Sequence, residues 1–207
     1  MPIFTKAHYL SVYNIVCAAV RVSLLLYAAR VWYAEGHGAV WGKLNLIVRW
    51  AEALTVAEVI HATLKIVPAS PLTTALQVSG RNTVVWAITR NYPNVAAREL
   101  AYTLMVTAWN SADAIRYLYF SVGASGNLGA FLLWLRYNMF IVLYPIGICS
   151  EMRLVYCVIA PSRERNVLYQ YLLWFGLSIY VPAFYVLFGH MLRQRRKVQQ
   201  SAKPKEN

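Results

Sequence analysis

The stretch "LYPIGICSEM", residues 143–152, lies deep inside the apolar run 128–159, yet it carries a phenol at Tyr144 and a carboxylic acid at Glu151. Its surroundings decide the fold. Hydrocarbon offers no water to open backbone groups, so a run apolar on every side must be a helix or part of a closed barrel. The alternating segments of roughly ten residues that mark barrel strands are not seen in the sequence.

Working outward, similar blocks recur at 9–32, 44–67, 72–88, 100–122, 128–159 and 167–191. Each approaches or exceeds the ~20 residues that cross a hydrocarbon core of about 30 Å. Between them stand "YAEGHGAVWGK", "VPASP", "TRNYPN", "VGASGN" and "APSRER", rich in the Gly, Pro, Asn and Ser that end helices. The pattern predicts an all-α polytopic membrane helix bundle of about six transmembrane helices. The third block, with "TTALQVSGRNT", is the most polar and leaves a five-span or re-entrant arrangement open. One transmembrane domain is expected over 1–192, followed by a basic tail over 193–207. Composition agrees: of 207 residues, 59% are hydrophobic and 14% charged, with a mean hydropathy of +0.43.

The formal net charge of +12 would suggest nucleic acid in a soluble protein. Here the cations are dispersed through apolar blocks or gathered in "RQRRKVQQSAKPKEN", which reads as a cytoplasmic anchor beside anionic lipid. Nucleic acid is not an expected partner. The tail places the C-terminus in the cytoplasm, and an even number of spans places the N-terminus there too; Arg90, Arg98, Arg163 and Arg165 then fall on the far side, against the rule. The final "KPKEN" resembles a Lys-x-Lys-x-x retrieval address of the endoplasmic reticulum. The N-terminal "MPIFTKAHYL" lacks a signal-peptide pattern, so the first block is read as a retained span. Cys17, Cys149 and Cys157 lie in apolar blocks without Cys-x-x-Cys spacing, so neither zinc nor a disulfide framework is indicated.

Ionisable residues within spans are costly and face the bundle interior. Arg21, Arg30, Arg49, Glu52, Glu58, His61, Lys65, Arg81, Asp113, Arg116, Arg136 and Glu151 are distributed over five blocks and predict a polar interior. Arg30 and Lys65 sit near span ends and can snorkel. Asp113 and Arg116 share a helix face and can neutralise each other. Glu58 and His61 have the i, i+3 spacing of di-iron bundles, but the motif occurs once and His8, His37 and His190 are scattered. No GxSxG elbow, no GxGxxG, and no loop after Cys149 able to cradle phosphate are present.

Tyr144 and Glu151 remain. Seven residues on a helix amount to about 20° of drift and about 10 Å of rise, so the pair shares a face. Pro145 and Gly147 between them predict a kink with room for a ligand. A cation such as Arg136 beside the phenol, and a low dielectric around the acid, would match the two groups for proton transfer in both directions. An interfacial Tyr and a span-ending Glu are the structural alternative.

The run "LWLRYNMFIVLYPIGICSEM" resembles the signature of the very-long-chain 3-hydroxyacyl-CoA dehydratases, the Pasticcino or protein-tyrosine-phosphatase-like family. "YLSVYNIV", "AEALTVAEVIHATLKIVPASPLTTALQVSGR" and "WNSADAIRYLYF" follow its other motifs in order, so the resemblance covers about residues 9–192. It implies an endoplasmic-reticulum membrane enzyme, a hydro-lyase, that converts (3R)-3-hydroxyacyl-CoA to trans-2-enoyl-CoA in the third step of fatty-acid elongation, without a cofactor or metal. It implies Tyr144 and Glu151 as the catalytic pair and Arg136, Gly147, Arg116, Arg81, Gln77 and Glu58 as supporting positions. Asp113 stands where a Glu is usual, Ala57 where Leu is typical, and Lys65 where Gly or another small residue is common.

The expected partners are a long-chain acyl-CoA, membrane lipid, and the elongase condensing enzyme, ketoreductase and enoyl reductase. Which of Tyr144 and Glu151 is base and which acid stays open. Two rival readings are a small transporter or channel with a polar path, and a non-catalytic elongase scaffold.

Overall fold

The computed structural model describes residues 6–124 and 129–201. "KPKEN" and part of the "VGASGN" break lie outside them. Among the described residues there is no strand. The helices are α1 (Lys6–Glu35), α2 (His37–Ala53), α3 (Val56–Thr63), α4 (Pro71–Thr83), α5 (Pro93–Arg98), α6 (Leu100–Ala124), α7 (Ala130–Asn138), α8 (Phe140–Arg165) and α9 (Val167–Ser201), with a π-helical segment, Val84–Thr89, extending α4.

Three helical stretches, Lys6–Glu35, Ala130–Arg165 and Val167–Gln200, are long and apolar enough to cross a membrane. The all-helical class is met, and the expected count of about six spans is not confirmed. The block at 44–67 is interrupted, and α6 carries Asn110, Asp113 and Arg116 in mid-length. The spanning helices turn large apolar side chains outward, among them Val12, Ile15 and Leu26 on α1 and Leu168, Phe175 and Val186 on α9. That exterior suits lipid, since a water-facing surface rarely carries such continuous apolar area.

α6 is the axis of the bundle. Its buried Tyr102, Met105, Val106, Trp109, Asp113 and Tyr117 recur at helical spacing, so one stripe faces inward. α1 packs along one side of it and α8 along another, while α2 joins α1 and α9 lies outside α8. α9 has no buried residue within its span.

The block read as 44–67 divides into α2 and α3. Its break falls at Leu54 and Thr55, where the Glu52 carbonyl accepts from the Thr55 amide at 3.0 Å, the Thr55 hydroxyl at 2.6 Å and the Asn82 amide group at 3.2 Å. α3 then ends in a Schellman motif: the Lys65 amide donates to the Ala62 carbonyl at 3.1 Å and the Ile66 amide to the His61 carbonyl at 2.8 Å. Lys65 adopts φ 53°, the left-handed conformation that favours glycine. This accounts for the departure noted in the sequence.

The fifth block also divides, into α7 and α8, at Met139. The kink expected between Tyr144 and Glu151 is not where the break falls: α8 is helical through Pro145 and Pro161. Pro145 stands just past the first turn and forfeits a single ladder bond, to the Ile141 carbonyl. A lone residue, Asn166, joins α8 to α9. Its amide donates to the Ser162 carbonyl at 3.0 Å, and its side-chain oxygen accepts from the Leu168 amide at 2.8 Å. At the other end α9 carries the helix into the basic segment, where Arg195 donates twice to Asn138 of α7, at 3.1 and 2.9 Å. On α8, Arg153 hydrogen-bonds Glu99 at 3.0 Å, which holds the Glu99 carboxyl below its ordinary range.

Lys65→Gly is expected to stabilise the protein by about 1 kcal/mol by removing the left-handed penalty. A rise in the unfolding midpoint in detergent micelles would show it, and a fall would contradict it.

Candidate active site

α8 and α9 run antiparallel, and their contacts place the two residues singled out in the sequence. Tyr144 stacks on Phe184 and Phe188, with ring centroids 5.6 and 6.0 Å away. Phe140 meets Phe188 at 5.6 Å. One helical segment further in, the Tyr180 hydroxyl donates to Glu151 Oε2 at 3.0 Å. Because α8 is continuous over both positions, the shared face is kept. Glu151 is only 8% exposed, and its other oxygen, Oε1, accepts from the Trp109 indole nitrogen at 2.7 Å. The Tyr144 hydroxyl is buried and meets no hydrogen-bond partner among the described residues. The site thus pairs a fully engaged acid with an unengaged phenol.

Gly147, between them, packs on Trp109. A Cβ there would stand 3.4 Å from Trp109 Cδ1 and 3.6 Å from Nε1, so any longer side chain would press on the indole. The Arg81 guanidinium lies over the same indole, 4.5 Å from the ring centroid.

Arg81 belongs to an ionic lattice in the bundle interior. Its Nη2 meets Glu52 Oε1 at 2.9 Å and Asp113 Oδ2 at 2.8 Å. Arg21 pairs with Glu52, meets Asp113 Oδ2 at 3.3 Å, and donates to Asn110 at 3.3 Å and the Ala51 carbonyl at 3.2 Å. Arg116 grips Glu58 with two bonds, at 2.6 and 2.7 Å, and approaches Asp113 at 3.6 Å, the pairing expected from their spacing. Tyr117 also donates to Glu58. Three guanidinium groups thus face three carboxylates, which is how charge survives in a lipid-embedded interior. Glu58 is engaged in this way while His61 pairs with the Tyr9 hydroxyl at 2.8 Å.

The predicted positions are therefore divided. Arg81, Gly147, Glu58 and Arg116 are buried or half-buried within one connected structure around Trp109 and Asp113. Arg136 is not brought to Tyr144. It ends α7, ahead of the Met139 break, and lies over the rings of Tyr119 and Phe120 at 5.9 and 5.8 Å. Gln77 is exposed on α4. Sequence reasoning missed Tyr180 and the hydrogen-bonding role of Trp109, although Trp109 opens the "WNSADAIRY" motif. A cleft lined in part by Tyr13, Cys17, Arg21 and Tyr117 opens beside the lattice, and another between α8 and α9 near Tyr156 and Arg163; neither includes Tyr144 or Glu151.

One spacing escaped the sequence reading. Cys157 and Arg163 stand in the Cys-x5-Arg arrangement of tyrosine phosphatases. Both lie inside α8, so about 9 Å of helical rise separates them. The intervening backbone amides are committed to the helix ladder and form no phosphate cradle.

Arg21→Met would leave the buried Glu52 and Asp113 short of a partner and is expected to cost about 3–5 kcal/mol. Denaturation in mixed micelles measures this, and a loss under about 1 kcal/mol, the value of an exposed pair, would show that the lattice is not the anchor inferred.

The chain is similar to known proteins over most of its length. The family model described as protein tyrosine phosphatase-like protein, PTPLA, matches residues 52–201. A probable very-long-chain (3R)-3-hydroxyacyl-CoA dehydratase of Schizosaccharomyces pombe is 37% identical, over 95% of this chain and 95% of its own. Very-long-chain (3R)-3-hydroxyacyl-CoA dehydratase 1 of Mus musculus is 30% identical, over 92% of this chain and 72% of its own. The dehydratase PASTICCINO 2B of Oryza sativa subsp. japonica is 31% identical, over 94% of each. No solved structure matches.

Proposed function

The chain belongs to the protein tyrosine phosphatase-like family, PTPLA, and on that premise we propose that it is a hydro-lyase converting (3R)-3-hydroxyacyl-CoA to trans-2-enoyl-CoA, the third step of very-long-chain fatty-acid elongation. The observation that carries the mechanism is the asymmetry of the pair: Glu151 accepts hydrogen bonds on both oxygens, whereas the Tyr144 hydroxyl has no partner among the described residues.

Loss of water from a 3-hydroxyacyl thioester requires a proton to leave C2 and another to reach the C3 hydroxyl. Both oxygens of Glu151 face donors, an arrangement that suits the carboxylate, the form that takes a proton. Glu151 is accordingly the base. The C2–H electrons become the C2–C3 double bond, the C3–O bond breaks, and the departing oxygen takes the Tyr144 proton to leave as water. Transfer of the proton from Glu151 to the Tyr144 phenolate resets the pair. No cofactor enters this balance. Phe184 and Phe188 supply an apolar wall for the acyl chain. The charged CoA end is assigned to the basic end of α7 and α9, with Arg136 and Arg195 nearer to it than Glu151.

The channel reading predicts charges strung along a continuous path. The lattice instead closes guanidinium groups on carboxylates. A scaffold would have no use for an orphaned buried phenol, which costs free energy to keep. In the same reading residues 1–192 form one membrane domain with six crossings, counting α2–α3, α4 with its π segment, and α6 as three of them. The tail 193–207 faces the cytoplasm, the membrane is that of the endoplasmic reticulum, and the condensing enzyme, ketoreductase and enoyl reductase of elongation are neighbours.

With purified protein and (3R)-3-hydroxyacyl-CoA, Tyr144→Phe and Glu151→Gln are each expected to lower kcat by about 10²–10⁴ with the unfolding midpoint kept. Turnover near the parent rate in both would remove the assignment. For the topology, a cysteine placed at Gln200 in sealed microsomes is expected to react with an impermeant maleimide from the cytosolic side; protection until the membrane is opened would reverse the orientation.

A further inference from the structure

We propose that Trp109 and Tyr180 are positioning residues that hold the two oxygens of Glu151 toward the Tyr144 side of α8, and that Arg81 acts on Glu151 through the Trp109 indole. An indole nitrogen can only donate, and at 2.7 Å its bond to Oε1 is in the short range of charge-assisted contacts. Tyr180 reaches Oε2 from the opposite helix. Two donors, one from α6 and one from α9, therefore each hold one oxygen of the carboxyl group, leaving it little rotational freedom.

Arg81 touches Trp109 rather than Glu151. A guanidinium over the face of an indole is attracted by the ring's electron density, and it draws that density from the N–H edge, which makes the indole a stronger donor to the acid. The same guanidinium is anchored by Glu52 and Asp113, so it cannot follow the ring if the ring moves. Gly147 completes the seat, since its lack of a side chain lets the indole lie against α8. Arg81 and Gly147, known at first only as matching positions in the sequence, thus acquire a physical task at the acid.

This inference rests on the dehydratase reading only in its kinetic arm, so the test has two arms. In the first, the infrared difference between the parent protein and Glu151→Gln isolates the Glu151 carboxyl band. Trp109→Phe, which keeps a ring for Arg81 but removes the N–H, and Tyr180→Phe are each expected to shift that band. An unshifted band in both overturns the clamp whatever the reaction is. In the second arm, both variants are expected to lower kcat about 10- to 100-fold, as misplacement of a reacting group does, with KM changed less than about 3-fold and the unfolding midpoint retained. Arg81→Lys keeps the ion pairs but not the planar stack. It should lower kcat in the parent and have no further effect on kcat in Trp109→Phe, because coupled residues are not additive. A full Arg81→Lys effect in the Trp109→Phe background overturns the indole route. Should Trp109→Phe fail to fold, Tyr180→Phe at the half-buried α9 position still decides the clamp: parent kcat with an unshifted band overturns it. A parent protein that forms no enoyl-CoA defeats the dehydratase reading and leaves the infrared arm standing.

Discussion

Arg21, Glu52, Arg81 and Asp113 come from four different helices, and their mutual pairing constrains the rest of the bundle because a charge in hydrocarbon without its partner is costly. α4 shows the effect most clearly. Its sequence is polar and it buries no residue, so apolar packing alone does not hold it in place. Arg81, together with Asn82 bonded to the Glu52 carbonyl, fixes it against α2 and α6. Once Arg81 is set, the face of Trp109 is set, and with it the edge that meets Glu151. The interior polarity that makes this chain an unusual membrane protein is the same device that orients its candidate acid.

The lattice also explains why the break between α2 and α3 is tolerated. Opening a helix in a membrane exposes a carbonyl that lipid cannot satisfy. Here the Glu52 carbonyl takes donors from Thr55 and Asn82, while the Glu52 side chain takes Arg21 and Arg81. Backbone and side chain of one residue thus serve a helix end and an ionic centre together. The candidate active site then divides polar groups in an uneven way. The acids Glu52, Glu58, Asp113 and Glu151 all meet donors, while the phenol of Tyr144, like that of Tyr13 on α1, meets none among the described residues and keeps capacity for a group that the protein itself does not supply.

Much of this was legible from residue types and spacing. The all-helical class followed from apolar blocks in hydrocarbon, and the third block, read at 72–88, corresponds closely to α4 with its π segment at 71–89. The shared face of Tyr144 and Glu151 followed from helical geometry alone. The split of 44–67 was hidden because Leu54 and Thr55 are not helix breakers; at the break the Glu52 carbonyl is taken by the Thr55 amide and hydroxyl and by Asn82, far along the chain. Arg136, expected as a cation near Tyr144, lies over Tyr119 and Phe120 instead, a tertiary choice that spacing along one helix does not encode. Tyr180 was invisible among many tyrosines, since its partner is chosen by the register between α8 and α9, which hydropathy does not encode. The Schellman end of α3, by contrast, gives a local backbone cause for the unusual Lys65.

That register has its origin at Asn166. A connection of one residue, bonded back to α8 and forward to α9, allows the two helices almost no sliding relative to each other. Because α9 faces α8 through Tyr180, Phe184 and Phe188, a slip of a single residue would turn it by about 100° and withdraw the ring wall of Tyr144 and the donor to Glu151 in one motion. The alignment of acid and phenol is thus dictated from a corner some 15 residues along α8, on the rim of the bundle opposite the basic tail, much as a hinge pin at one edge of a door governs how the latch meets its plate.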